Sequence, residues 1–226
     1  MTEYIKIPNI FKRETFGKNK LLYGEYSSEE LKYLSRCEWT WTEKVDGTNV
    51  RVLWDGYRVS FMGRTDRAQL PKDLEAKLTE LFGGTDKEEL FEQTFGQKPV
   101  ILFGEGYGGK IQGVGPQYGA VDFILFDVMV GKQIGVDLYF DRDMYLMRES
   151  VEGIADVFGL KVVPIVGRGT LEQGIEYVKT HPMSTLGDLP MEGIVARPAV
   201  EMRNRGGDRV ICKIKWRDFK PEVTEG

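Results

Sequence analysis

The residue with the clearest chemical potential is Lys44, in the stretch EKVDGTN (43–49). A lysine amine can attack an electrophilic phosphate, but its unperturbed pKa is about 10.4, so neighbouring cations or burial must favour the free amine. Two further lysines, Lys213 and Lys215, stand two residues apart in a strand-like run near the end of the sequence. Strand alternation puts both on one face, where they would supply that bias and stabilise phosphate charge.

Carboxylates and an aromatic ring that could hold a nucleotide occur elsewhere in the chain. Glu105 and Glu192 stand beside glycines in FGEG and MEG, where the backbone can approach a ligand, and either could hold ribose hydroxyls or a divalent ion. VDFILFDV (121–128) offers an aromatic face for a base. Each has an ordinary alternative: Glu105 as an exposed turn, Phe123 as a core residue and Arg64 as a surface charge after a hairpin.

The Asp46–Gly47 pair also has an ordinary interpretation. Asp-Gly between alternating segments is typical of a hairpin turn, and here WTWTEKV precedes it and NVRVLW follows. Lys44 would then be a charge on an edge strand. The choice depends on whether the rest of the chain supplies partners for a reactive amine.

Composition excludes several other classes of protein. The 226 residues are 41% hydrophobic and 29% charged, which is ordinary for a globular chain, and no apolar run approaches a membrane span or a signal peptide. We therefore expect a cytoplasmic protein without membrane contact. Cys37 and Cys212 are predicted to be reduced and structural, and the single histidine, His181, excludes a histidine-rich metal site.

Charge is unevenly distributed along the chain. The net charge of −4 argues against indiscriminate nucleic-acid binding, but residues 203–220 carry seven basic and two acidic side chains. A basic stripe on an acidic body fits an anionic ligand held at one place. The alternative is a solvated strand edge guarded by lysines.

Hydrophobic periodicity predicts helices and strands in irregular alternation, which favours an α+β fold with mainly antiparallel sheets flanked by helices over a doubly wound sheet. The predicted helices are 27–36, 70–82, 85–95, 141–159 and 170–181. The predicted strands are 50–54 and 57–61, joined by an Asp55–Gly56 hairpin, then 99–106, 121–130, 160–166, 192–198 and 209–216. Ser27 or Ser28 would cap the first helix, and a Thr-x-x-Glu pattern opens the third.

Six segments in this order resemble the covalent nucleotidyltransferase superfamily of ATP-dependent DNA ligases, RNA ligases and mRNA-capping guanylyltransferases. They are EKVDGTN (43–49), GRTDR (63–67), FGEGYG (103–108), VDFILFDV (121–128), MEGIVAR (191–197) and CKIKW (212–216). Within the superfamily the chain looks most like the RNA ligase 2 branch, because the lysine motif continues as GTN and the arginine of GRTDR, Arg64, follows Lys44 by 20 residues. The resemblance implies a single ligase-type adenylyltransferase domain over residues 1–226.

The resemblance also implies a reaction and its cofactors. Lys44 would attack the α-phosphate of ATP and form a lysyl-adenylate, AMP would pass to a polynucleotide 5′-phosphate, and a 3′-hydroxyl would then seal the RNA. Mg²⁺ would assist, with Mn²⁺ as an alternative. The implied partners are RNA ends, with DNA ends as an alternative. A DNA ligase, a capping guanylyltransferase and a non-catalytic nucleotide-binding or nucleic-acid-binding module are the competing functions.

By match to the motifs, the resemblance assigns roles to individual residues. The implied catalytic residues are Lys44, Asp46, Lys213 and Lys215. The implied nucleotide-binding residues are Glu43 beside the adenine, Lys44, Asn49 at the end being sealed, Arg64 and Glu105 at ribose or phosphates, Phe123 stacked on the base, Glu192, and Lys213 with Lys215 at the α-phosphate. Phe126 competes with Phe123 for the stacking role, and Glu105 and Glu192 are the implied metal ligands.

Two departures from the family pattern qualify these expectations. Asp46 stands where the RNA ligase 2 branch often has histidine. Eleven residues follow Lys215, so we expect no C-terminal OB or helical appendage. A partner chain could then supply the missing grip on the nucleic acid.

Overall fold

The computed structural model describes residues 3–220, apart from the side chain of residue 143. The strands are β1 (Phe11–Arg13), β2 (Leu21–Tyr26), β3 (Trp39–Glu43), β4 (Thr48–Trp54), β5 (Val59–Gly63), β6 (Val100–Tyr107), β7 (Asp122–Val130), β8 (Lys132–Ile134), β9 (Asp137–Tyr139), β10 (Lys161–Val162), β11 (Ile165–Gly169), β12 (Gly193–Pro198) and β13 (Cys212–Lys215). The α-helices are α1 (Glu29–Tyr33), α2 (Lys72–Phe82), α3 (Thr85–Phe95), α4 (Gly115–Tyr118), α5 (Arg148–Phe158) and α6 (Leu171–Lys179), and short 3₁₀ helices lie at Arg142–Met144 and Trp216–Asp218.

The described chain divides into two compact units, each with its own sheet and hydrophobic core. The five-stranded unit contains residues 3–5 and 46–163, and the four-stranded unit contains residues 6–45 and 164–220. The chain therefore passes from one unit to the other after positions 5, 45 and 163. The prediction of a single domain over residues 1–226 stays a prediction.

The five-stranded unit is built on a sheet of order β10-β7-β6-β4-β5, in which only the β10–β7 pair is parallel. Helices α2, α3 and α5 contribute side chains to the core on one face of this sheet. Leu74, Leu78 and Phe82, spaced four residues apart on α2, are fully buried because that spacing keeps them on one helix face. Val50 and Val52 alternate on β4 to meet them.

The opposite face of this sheet carries both polar and aromatic residues. Asn49 of β4 lies directly opposite Glu105 of β6, and Arg51 lies opposite Phe103 in the same pair of strands. The guanidinium of Arg51 is buried and donates to the Gly63 carbonyl at 2.8 Å, which helps to fix β4 against β5.

The four-stranded unit has the strand order β11-β3-β12-β13, with every pair antiparallel. Helix α6 covers one face, and its apolar side chains pack with Trp39, Trp41, Ile194 and Ile214 in the second core. The segment before β1 runs beside β13, where the amide of Ile10 donates to the carbonyl of residue 213 at 3.1 Å.

The fold class and most predicted elements are confirmed. The structure is α+β with mainly antiparallel sheets. Helices α2, α3 and α6 lie where the periodicity predicted them, and the Asp55–Gly56 turn does join β4 to β5. In the described part of the chain, no helix is long and apolar enough to cross a membrane.

Five local predictions are wrong. The predicted strand 160–166 is divided into β10 and β11, which belong to different sheets. Helix α1 is confined to Glu29–Tyr33, although Ser28 caps it as expected. The predicted helix 141–159 is broken between a 3₁₀ turn and α5, because the intervening residues adopt extended backbone before Arg148. Helix α3 is capped by Gly84 without a side-chain hydrogen bond, so the Thr-x-x-Glu pattern does not form a capping box. Strand β13 begins at Cys212, three residues later than predicted.

The hairpin interpretation of Asp46–Gly47 is also wrong. Strand β3 ends at Glu43 in the four-stranded sheet, whereas β4 begins at Thr48 in the five-stranded sheet. The Asp-Gly pair therefore lies where the chain leaves one sheet for the other. Gly47 is required there, because a Cβ would lie 2.3 Å from the carbonyl oxygen of Gly106.

Candidate functional site

Strand order in the four-stranded unit brings three charged residues together at one end of the sheet. Lys44 directly follows β3, Glu192 directly precedes β12, and Lys215 ends β13. Because β12 lies between β3 and β13, Glu192 falls between the two lysines. The backbone fixes this arrangement: the amide of Lys44 donates to the Gly193 carbonyl at 3.0 Å, and that of Trp216 donates to the Glu192 carbonyl at 3.0 Å.

Glu192 forms ion pairs with both lysines. Lys44 Nζ lies 2.5 Å from one carboxylate oxygen, and Lys215 Nζ donates to the other. The side chains of Lys44, Glu192 and Lys215 are 22%, 16% and 13% exposed, so the cluster is largely shielded but open on one side. Burial opposes ionisation of Glu192, but the two ammonium groups outweigh it and hold the pKa of this carboxyl below its ordinary value.

Lys213 lies on the same face of the sheet as Lys44 and Lys215. Val195 of β12 pairs with Lys213 on one side and with Thr42 on the other, and opposed residues in antiparallel strands share a face. Partial burial and then the positive charges of Lys215 and Lys44 lower the pKa of Lys213 to about 8. The sheet therefore concentrates positive charge around Lys44, as the sequence predicted.

Gly193 allows the strands to approach closely beside this cluster. Its φ is +153°, and a Cβ would lie 2.1 Å from the carbonyl oxygen of Ile214. A larger residue would push β12 away from β13 and separate Glu192 from Lys215. The MEG segment is therefore needed for both its glutamate and its glycine.

Glu43 does not lie with the lysines. It pairs with Ile194 on the face that α6 covers, and it is buried with 1% of its surface exposed. Its carboxylate accepts hydrogen bonds from the Ser184 hydroxyl and from the Thr185 amide and hydroxyl, the last two at 3.1 and 2.9 Å. Glu43 thus anchors the loop after α6, and this placement does not fit the predicted contact with adenine.

The other predicted site residues belong to the five-stranded unit. Asn49 and Glu105 are direct cross-strand neighbours, and Asn49 Oδ1 is buried with no hydrogen-bond partner within the described residues. Asp46 lies just before β4, where its backbone amide donates to the Tyr118 hydroxyl at 3.2 Å. Arg64 is exposed and directly follows β5.

Phe123 is a core residue. It is 1% exposed, packs edge-on against Phe82 of α2 at 5.4 Å between ring centroids, and lies on the helix-covered face of the sheet. Asn49 and Glu105 occupy the opposite face, so Phe123 is not placed to stack on a ligand held there. The apolar run of β7 is almost continuous and a bulge interrupts its pairing with β6, so the sequence could not reveal which face each ring takes.

Phe126 is better placed than Phe123. It is partly exposed and contacts the Tyr4 ring at 4.9 Å between centroids, and Tyr4 in turn contacts Phe103 at 5.1 Å. Phe103 shares its sheet face with Glu105, two residues along β6. The competing assignment of the stacking role to Phe126 is therefore the one that this geometry favours.

The described residues contain no cluster of three or more histidine, cysteine or acidic side chains that could hold a metal ion. Mg²⁺ commonly needs only one or two protein carboxylates, because it keeps several waters and binds substrate phosphates. Glu192 pairs with Lys44 and Lys215, and the assignment of Glu105 and Glu192 as metal ligands stays a prediction.

The N-terminal residues that lie beside β13 were not predicted to belong to the site. Lys6, Asn9 and Arg13 line a cavity together with Lys213 and Lys215. The positive charges of Lys6 and Arg13 were visible in the sequence, but no local pattern indicated the long-range pairing of Asn9 with Lys213.

Comparison with known proteins identifies the family. The sequence model described as RNA ligase matches residues 37–215. The chain therefore belongs to the RNA ligase family, which confirms the resemblance inferred from the six segments.

Solved structures of RNA ligases share the fold. The Naegleria gruberi RNA ligase, as an apo variant, has a TM-score of 0.60 and 19% identity over 84% of this chain and 53% of its own. Another variant of that ligase, with ATP and Mn, has a TM-score of 0.61 and 18% identity over 95% and 56%. An archaeal ATP-dependent RNA ligase has a TM-score of 0.59 and 18% identity over 94% of this chain and 48% of its own. The chain thus spans about half the length of these ligases.

Proposed function

We propose that this protein is an ATP-dependent RNA ligase that works through a covalent AMP on Lys44. The observation that carries the proposal is the arrangement around that amine: its Nζ lies 2.5 Å from Glu192, and Lys213 and Lys215 occupy the same sheet face. A nucleophile, a proton acceptor and two cations are the groups that transfer of a nucleotidyl group requires.

In the first step the amine of Lys44 attacks the α-phosphorus of ATP. A nitrogen–phosphorus bond forms while the bond to the β-phosphate oxygen breaks, and pyrophosphate leaves. Lys44 first gives up its ammonium proton to solvent, a loss that the neighbouring cations favour, and the proton that nitrogen releases as the new bond forms passes to Glu192, the carboxylate in contact with Nζ. Lys213 and Lys215 stabilise the charge that develops on the α-phosphate.

The next two steps move AMP and seal the strand. An oxygen of the RNA 5′-phosphate attacks the phosphorus of the lysyl-adenylate and releases the amine of Lys44. The 3′-hydroxyl of the other end then attacks the activated 5′-phosphate, loses its proton and expels AMP. Asn49, whose side-chain oxygen has no hydrogen-bond partner among residues 3–220, is a candidate to orient one of these ends.

The remaining roles rest on the resemblance and on local geometry. Phe126 is assigned to base stacking, Arg64 to ribose or phosphate contact, and Asp46 to the catalytic motif. A divalent ion, Mg²⁺ or Mn²⁺, would be held by Glu105 or Glu192 together with substrate phosphates, and it would neutralise phosphate charge when bound. DNA ends as alternative substrates, a partner chain that grips the nucleic acid, and a cytoplasmic location stay predictions.

An end-joining assay tests the proposal. A 5′-phosphorylated RNA is incubated with the protein, ATP and Mg²⁺, alongside matched DNA and with GTP in place of ATP. We expect sealed RNA with ATP, and none from Lys44→Ala. Sealing with GTP alone, or equal sealing by Lys44→Ala, would contradict the proposal.

A further inference from the structure

A strongly basic groove lies in the four-stranded unit beside β13. It has a volume of about 580 Å³ and is lined by six basic side chains: Lys6, Arg13, Lys213, Lys215, Arg217 and Lys220. Asp218 is the one acidic side chain among its described lining residues. The net charge of the whole chain is −4, so this concentration of positive charge runs against the overall balance.

The groove is held in place by backbone and side-chain contacts. The N-terminal segment is hydrogen-bonded to β13 on both sides of residue 9: the amide of Lys213 donates to the Pro8 carbonyl at 2.9 Å, and that of Ile10 donates to the Lys213 carbonyl at 3.1 Å. Arg13 is tied to the 3₁₀ helix after β13 through its ion pair with Asp218. These contacts bring basic residues from both ends of the chain to one surface.

Like charges face one another in this groove without a matching number of acids. Asp218 already pairs with Arg13, and Arg217 Nε lies 3.8 Å from the same carboxylate. Lys6 is among the cations that depress the pKa of Lys213, after burial and the nearer lysines. Such repulsion is a cost to the folded state that a bound anion would relieve.

We propose that the basic groove binds the phosphodiester backbone of a single-stranded polynucleotide. Its openness favours a strand over a mononucleotide, since Arg217 is 67% exposed and the cations come from two separate segments. Lys215 lines the groove and also contacts Glu192, so a strand bound here leads to the Lys44 cluster within the same unit. The identification of that strand as the RNA being sealed rests on the proposed function.

Fluorescence anisotropy with a labelled 5′-phosphorylated RNA tests the groove on the full chain without ATP. The test variant is Arg217→Ala with Lys220→Ala, two groove residues that are not among the charges that shift the pKa of Lys213. The matched control is Lys12→Ala with Arg36→Ala, two exposed basic residues of the same unit that do not line the groove. We expect the test variant to bind the RNA at least tenfold more weakly than the parent at low salt. The slope of the logarithm of its RNA association constant against the logarithm of salt concentration should be smaller by about 1.4, or about 0.7 for each lost phosphate contact. The control should match the parent.

Auto-adenylation of the same variants, measured without RNA, separates this inference from the proposed function. We expect the rate to be unchanged, because neither substituted residue contacts the Lys44 cluster. Equal RNA affinity, with equal dependence of that affinity on salt, in the test and control variants would overturn the proposal that the groove binds RNA. Slower adenylation of the test variant with unchanged RNA binding would mean that the groove binds the phosphates of ATP, and this result would also overturn the proposal. A parent that binds RNA through the groove but never adenylates would instead refute the ligase proposal alone.

Discussion

Replacing Glu192 by glutamine removes the carboxylate that lies between Lys44 and Lys215 while keeping the size of the side chain. We expect this change to slow auto-adenylation about 100-fold or more, because loss of a positioned proton acceptor typically costs a factor of 100 to 10,000. ATP binding should be retained or become tighter, since the cluster loses its negative charge and the triphosphate is an anion.

The same substitution has a thermodynamic consequence. Removing one partner of a buried ion pair costs about 3–5 kcal/mol, whereas exposed pairs contribute less than about 1 kcal/mol. Glu192 is 16% exposed, which places it between these limits, and we expect Glu192→Gln to lower the free energy of unfolding by about 2 kcal/mol at pH 7.

The contribution of Glu192 to the stability of the folded protein depends on pH. The pKa of Glu192 is lower in the folded protein than its ordinary value of 4.5. Its stabilising contribution is therefore complete above that value and is lost as pH falls through the folded pKa. The difference in stability between parent and Glu192→Gln should shrink below about pH 4.5.

Single-turnover transfer of label from α-labelled ATP and urea unfolding at several pH values measure these effects. Glu176→Gln is the control, because Glu176 forms an exposed pair with Lys179 in the same unit and should change neither quantity by much. An adenylation rate for Glu192→Gln within threefold of the parent would refute the proton-transfer role. An unchanged stability difference from pH 7 to pH 3 would refute the electrostatic account of the cluster.

Other substitutions and reagents test separate parts of the structure. Gly193→Ala should lose about 2–4 kcal/mol of stability in thermal or urea unfolding, because the added Cβ meets a backbone carbonyl of β13. Gly153→Ala, on an open face of α5, should be neutral or slightly stabilising, and equal effects of the two substitutions would contradict the close approach of β12 to β13. Because the pKa of Lys213 is lowered to about 8, the unfolded chain binds more protons at this residue, and the free energy of unfolding should rise between about pH 8 and pH 10.5. Lys213→Met should abolish that rise in urea titrations, and a parent protein whose free energy of unfolding does not rise would contradict the lowered pKa. A thiol reagent at pH 8 should modify only the exposed Cys37 in the native protein and both cysteines after unfolding, since burial raises the pKa of the Cys212 thiol. Rapid modification of both thiols in the native protein would contradict the burial of Cys212.

The sequence predicted the elements that depend on local patterns. Leu74, Leu78 and Phe82 repeat at helical spacing, and α2 forms where they do. Cys212 and Ile214 alternate with two lysines, and β13 buries the first pair and leaves the second on the other face. Period and residue type carry this information directly, because each face meets either core or solvent.

Residues whose roles depend on long-range pairing could not be assigned from local patterns. Phe123 and Phe126 both lie in a continuous apolar strand, and a bulge opposite Phe103 decides which ring enters the core. Glu43 adjoins Lys44 in sequence, but alternation puts it on the face under α6, where the loop at residues 184–185 occupies its carboxylate. Neither partner is visible within the motif itself.

Motif order indicated the cluster of Lys44, Glu192 and Lys215 better than it indicated the positions of Glu43 and Phe123. Lys44, Glu192 and Lys215 were named from three distant segments, and strand order β3-β12-β13 does bring them together. The basic groove was missed in part because Lys6 and Arg13 lie outside the six segments. Their role depends on the N-terminal segment pairing with β13, a contact more than 200 residues apart in sequence.

The most direct test of the central claim is to locate the covalent nucleotide. The protein is incubated with ATP and Mg²⁺, digested, and analysed by mass spectrometry for a peptide that carries the mass of AMP less one water. The account predicts that this acid-labile adduct lies on Lys44, in the peptide that spans the EKVDGTN motif. An adduct on Lys213 or Lys215, or adenylated protein in which Lys44 is unmodified, would contradict it.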